Sequence, residues 1–108
     1  MKILSIDTSS KLCEIAILEN EKIIKEITQN NGLTHSETLM PIIKETLENL
    51  NLTLNDIDLI VCDKGPGSFT GIRIGVATAK AFSESLDIQA IGISSLEALA
   101  YTILMHID

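Results

Sequence analysis

The chain has 108 residues, with eight basic and fifteen acidic side chains and a formal net charge of −7 at neutral pH. This length supports one domain with a real core and excludes a large two-domain enzyme. The acidic balance argues against a protein that grips nucleic acid or an anionic membrane by itself, because phosphate contacts need clustered Lys and Arg. An aromatic content of 3% also offers few platforms for base stacking.

No window is apolar for long enough to cross a membrane as a helix, and Asp7 arrives too early for a signal peptide. A cytoplasmic protein without membrane contact is expected. Ile3 to Ile6 is a short apolar run, and the polar residues Asp7 to Lys11 after it predict a turn. Cys13, Ile15 and Ile17 recur at period 2, as in a strand. Glu19-Asn20-Glu21 is a polar turn, and Lys22 to Thr28 is a further β-branched run. Three strands joined by short turns predict an antiparallel meander.

The period then changes. Leu39, Ile43, Leu47 and Leu50 form a helical stripe, with Thr34 and Glu37 spaced as a capping box. Pro41, inside this helix, is expected to kink it slightly. Ile57 to Cys62 is almost continuously apolar, which fits a strand covered on both faces. A glycine-rich turn follows, then a second helix from about Gly71 to Leu86, a buried strand Ile88 to Ile93 and a third helix opened by Ser94 or Ser95. The predicted order is βββαβαβα, a mixed sheet with helices on both faces and parallel strands in its later part. The third helix runs to Asp108 without a glycine or proline stop, so a domain following this one is expected.

Several motifs bear on chemistry. Asp7-Thr8-Ser9-Ser10 follows the first strand; an aspartate there can face a metal–phosphate complex, and it can equally close an Asx or ST turn. Lys64-Gly65-Pro66-Gly67-Ser68-Phe69-Thr70-Gly71 joins a buried strand to a helix, a context that suits phosphate. It is neither a P-loop nor a dinucleotide fingerprint. Ser68 or Thr70 could cap the helix without any ligand. The phosphate candidates are therefore Asp7, Thr8, Gly65, Gly67, Ser68 and Thr70. Gly71, Gly75 and Ala79 share a helix face that admits a close neighbour, either the first helix or a partner's helix. His35 with Glu37 is too few ligands for zinc, and His106 has no motif around it. Cys13 and Cys62 lack metal spacing and read as reduced core residues. No cofactor or metal is expected, and no catalytic residue is assigned.

Four segments in order are more specific than any one of them: Lys2-Ile3-Leu4-Ser5-Ile6-Asp7-Thr8-Ser9, His35-Ser36-Glu37-Thr38-Leu39-Met40-Pro41, Gly65 to Gly75 and Gly92-Ile93-Ser94-Ser95-Leu96. Together they resemble the bacterial TsaB, or YeaZ, family, once labelled glycoprotease or M22 peptidase. The resemblance covers essentially the whole chain. It implies one half of an RNase H-like or actin-like ATPase (ASKHA) fold, with residues 1–108 as a single N-terminal domain and a second domain absent. It also implies a non-catalytic scaffold or activator that works with the catalytic paralogue TsaD and the ATPase TsaE. Together these install threonylcarbamoyl on adenosine 37 of tRNAs reading ANN codons, the chain meeting tRNA only through the complex. TsaD holds metal through an HxxxH motif on the first helix, whereas here Leu39 stands four residues after His35.

The family pairs with TsaD through its first two helices, which places partner contact on Leu39, Met40, Ile43, Leu47, Gly71, Ile72, Gly75 and Ala79; the same surface could make a homodimer. An ATP-binding or phosphotransferase half, with Asp7 and Gly65–Gly71 at phosphate, is the alternative. A metallopeptidase has least support.

Overall fold

A computed structural model describes residues 1–9, 12–20, 22–29, 35–65 and 69–94. Five strands and two long helices follow in the order β1 (Lys2–Asp7), β2 (Cys13–Glu19), β3 (Lys22–Gln29), α1 (His35–Asn49), β4 (Leu59–Asp63), α2 (Phe69–Leu86) and β5 (Gln89–Ile93). The strands form one sheet in the order β3-β2-β1-β4-β5. β1, β2 and β3 pair antiparallel, as the short polar turns require, with Asn20 at φ 51° in the turn between β2 and β3. β4 and β5 join parallel to β1, each after a helical crossover. Reciprocal 2.8 Å bonds, from the Lys2 N–H to Asp58 Oδ2 and from the Asp58 N–H to the Lys2 carbonyl, fix the start of that parallel register.

Period 2 sets the two faces of the sheet. Leu4 and Ile6 of β1 stand opposite Ile17 and Ile15 of β2 and beside Ile60 and Cys62 of β4, and all six are buried. The alternate residues Ile3, Ser5 and Asp7 are only half-buried. α1 adds Leu39, Ile42, Ile43 and Leu47 to the same core, and α2 adds Ala79. Both described helices therefore pack on one face. The steps from β1 to β4 and from β4 to β5 run in one direction, so crossovers of one hand bring both helices to the same side. The expected third helix, like the expected cap Thr34, lies outside the described residues. Fully burying each of the large aliphatic side chains contributes about 1.5–3 kcal/mol, which makes this face the main source of stability.

Local chemistry adjusts several expected boundaries. Ile57 is buried but precedes β4, because Leu54–Asp56 forms a 3₁₀ turn held by a 2.8 Å bond from the Thr53 N–H to Asp56 Oδ2. α2 starts at Phe69, two residues earlier than expected. α1 continues through Pro41, which lies on the solvent side, where water can satisfy the carbonyl that loses its helical donor. Both helices end alike. Asn51 (φ 57°) and Asp87 (φ 55°) adopt the left-handed conformation, and the next N–H, of Leu52 or Ile88, turns back to the carbonyl of Leu47 or Ser83. This is the Schellman ending, with Asn and Asp in the place glycine usually takes.

Candidate functional site

β1 and β4 each end in an aspartate. The last registered pair is Ile6 with Cys62, so Asp7 and Asp63 come next, side by side at the carboxyl ends of neighbouring parallel strands. Ser9 links them. Its backbone N–H and hydroxyl both reach Asp7 Oδ1, at 3.0 and 2.7 Å, and the same hydroxyl lies 3.2 Å from Asp63 Oδ2. A hydroxyl has one proton, so the shorter contact to Asp7 takes most of it. Asp63 Oδ1 accepts the Gly65 N–H at 2.8 Å, and the Lys64 N–H donates to the Ile93 carbonyl at 2.8 Å. Gly65 turns the chain at φ 110°, a region that a side chain rarely enters. The Asp7–Ser9 segment is thus an Asx turn, and it shares its serine with a second carboxylate.

Thr8 points the other way. It is fully buried, and its hydroxyl donates to the Gly71 carbonyl at 2.6 Å. The expectation that Thr8 meets phosphate is corrected here: alternation along β1 sends Asp7 to the rim and Thr8 into the joint with α2. Gly65 also directs its N–H inward, to Asp63. Thr70 is exposed in the first turn of α2, and Gly67 and Ser68 lie outside the described residues.

The rim is electronegative. Glu14 stands directly opposite Asp7, and Glu26 of β3 is opposite Ala16, one diagonal step away. Burial, then the charges of Asp7 and Glu26, push the Glu14 carboxyl above its ordinary range. Burial is also the main reason the Cys13 thiol is pushed up to about 11, with Asp7 and Glu14 adding to it. Cys62 is raised by burial first and then by Asp63, while Lys64 acts in the opposite sense. Both buried cysteines are free and stay as thiols at neutral pH, poor as nucleophiles and as metal ligands. Among the described residues no three His, Cys, Asp or Glu side chains converge as a metal site. Both aspartates accept hydrogen bonds that hold the chain: Asp7 from the Ser9 backbone and hydroxyl, and Asp63 from the Gly65 N–H.

The expected partner residues separate into three groups. Leu39, Ile43 and Leu47 are buried in the chain's own core. Gly71, Gly75 and Ala79 are also buried, and they face the sheet: a Cβ on Gly75 would collide with Thr8 Oγ1 and lie 3.6 Å from Ile6 Cγ2. The small-residue face admits β1 of the same chain, so those six positions are corrected to core. Ile72 is half-buried, one turn from Val76 on the flank of α2 towards β5, where a pocket of about 430 Å³ is lined by Val76, Ser83, Ala90 and Gly92. Met40, 48% exposed, alone of the set stands open to solvent. Sequence reasoning passed over Asp63, although it ends an apolar run before a turn just as Asp7 does. It also passed over Ala77 and Ala81, which are exposed one turn apart on α2.

Comparison with known proteins follows this geometry. Residues 20–108 match the family model described as TsaD, tRNA N6-adenosine threonylcarbamoyltransferase. The chain belongs to the TsaD family, and within it to the TsaB group. It is 42% identical over 98 residues to the tRNA threonylcarbamoyladenosine biosynthesis protein TsaB of Buchnera aphidicola from Schizaphis graminum, covering 91% of this chain and 46% of the relative. Against the TsaB of Bacillus subtilis the identity is 43% over 100 residues, covering 93% and 44%. The fold matches YeaZ from Pseudomonas aeruginosa with a TM-score of 0.86 and 26% identity, over 97% of this chain and 49% of that one. The chain thus spans about half the length of the TsaB relatives it matches, and it has the half-ASKHA α/β architecture of the family.

Proposed function

We propose that this chain forms one lobe, the N-terminal one, of a TsaB-type subunit in tRNA threonylcarbamoyladenosine biosynthesis, acting as a non-catalytic activator that pairs with a TsaD-type transferase. The observation that carries this reading is Leu39. The resemblance places the transferase's second metal-binding histidine at this position of the first helix, and here the position holds a leucine that is 1% exposed in the core. A metal pair on α1 would need a polar group where the fold needs an aliphatic one. The charge of −7 fits the same division of labour, in which another subunit holds the tRNA reading ANN codons. The companion ATPase TsaE and a cytoplasmic setting belong to this reading, and no described helix is long and apolar enough to cross a membrane.

Partner contact in this reading falls on exposed positions of the two helices: Met40 on α1, and Ala77 with Ala81 on α2, where small side chains let another helix approach. The test is complementation. The chain, and a version extended to the length of its relatives, are expressed in cells lacking their own TsaB-type protein, and threonylcarbamoyladenosine in tRNA digests is measured by mass spectrometry. The extended protein restores the nucleoside; Met40→Asp and Ala77→Trp lower both the nucleoside and co-purification with the TsaD-type subunit at least tenfold while remaining folded. Full restoration by folded variants that no longer bind the transferase refutes the proposal. If the protein self-associates through this surface, the same variants become monomeric.

One observation favours a second reading. Asp7 and Asp63 lie side by side at strand ends, Asp63 just before the turn into α2, which is where an ATP-binding lobe would present carboxylates to a metal–phosphate group. Calorimetric titration with Mg²⁺ and ATP separates the two readings: tight binding supports the nucleotide reading, and no heat supports the activator.

A further inference from the structure

We draw no further inference here: the strongest candidate, the apolar groove of about 350 Å³ between α1 and the Leu52–Leu54 segment, lined by Met40, Ile43, Leu47, Leu52 and Leu54, adjoins the helix surface already proposed for a partner, and nothing in the structure shows what covers the rest of it.

Discussion

Replacing Gly75 by alanine probes the joint between β1 and α2. The added Cβ would lie closer to Thr8 Oγ1 than real Cβ atoms come, while its other neighbours, Ile6 Cγ2 and Thr8 Cβ, stand at 3.6 and 3.7 Å, in ordinary contact. The conflict is therefore with a single atom. That atom is held in place, because Thr8 is fully buried and its hydroxyl donates to the Gly71 carbonyl at 2.6 Å. Rotating the hydroxyl away leaves a buried polar group unpaired, at about 1–3 kcal/mol. Shifting the helix instead costs a similar 1–3 kcal/mol, roughly, as overpacking does. Alanine in a helix interior returns about 1 kcal/mol over glycine. Gly75→Ala should thus destabilise by up to about 2 kcal/mol. In a Thr8→Ala background the obstructing atom is gone, and the same change should be neutral or stabilising by up to about 1 kcal/mol. Urea unfolding of the four proteins of this cycle, followed by circular dichroism, measures the coupling. An equal loss from Gly75→Ala in both backgrounds would refute the contact and, with it, the assignment of the small-residue face to the sheet.

Other expectations rest on the rim and the core. The Cys13 thiol is raised from 9.0 to about 11 in the folded state, so its contribution is fully present below pH 9 and is lost as pH rises through 11. Stability should fall by up to about 2–3 kcal/mol across that window, and Cys13→Val should remove this part of the slope. Iodoacetamide at pH 8 should leave Cys13 unmodified until the chain unfolds. Glu14 is raised above 4.5, so its contribution is present below that pH and lost as pH rises through the folded value. Glu14→Gln should therefore stabilise at pH 7, with an advantage that disappears in acid, as thermal melts at the two pH values would show. Leu39→Ala should cost about 2–5 kcal/mol in the same urea assay, as core truncations do, whereas Met40→Ala should stay within about 0.5 kcal/mol.

Most of the architecture is legible in the sequence because local periodicity and the fold agree. Cys13, Ile15 and Ile17 alternate as a half-buried strand must, and Leu39, Ile43 and Leu47 repeat as a core-facing helix must. What stays hidden is which neighbour a pattern is meant for. Gly71, Gly75 and Ala79 announce a close approach, but the spacing is the same whether the approaching backbone belongs to β1 or to another protein. Only the register of β1 under α2 decides it. The start of β4 is obscured for a related reason: Ile57 is as apolar as a strand residue, and the Thr53–Asp56 bond that makes the preceding turn joins two polar residues with no distinctive motif. Asp63 was passed over because its partners, Ser9 and Gly65, come from two different loops, and only the parallel pairing of β1 with β4 brings them together.

The strand alternation also makes the two functional readings separable at one residue. Asp7 and Thr8 are neighbours in sequence and face opposite sides of the sheet, so the rim can be altered without touching the joint. Asp7→Asn keeps an Oδ1 acceptor for the Ser9 N–H and hydroxyl, and it removes one negative charge facing Glu14 and Cys13. Stability at neutral pH should stay level or rise slightly, and both raised groups should titrate closer to their ordinary values, by NMR for Glu14 and by thiol alkylation against pH for Cys13. A loss above about 1 kcal/mol would refute the hydrogen-bonded turn drawn here, since the conservative variant retains the turn's acceptor. The activator reading expects the extended Asp7→Asn protein to bind the transferase and restore the modified nucleoside as the parent does, because in that reading the carboxylate only turns the chain and takes no part in the chemistry. Full binding with lost modification would instead move the carboxylate into the chemistry and favour the nucleotide reading. The charge at Asp7, rather than its hydrogen bonds, is what distinguishes a rim that turns the chain from one that holds a metal–phosphate group.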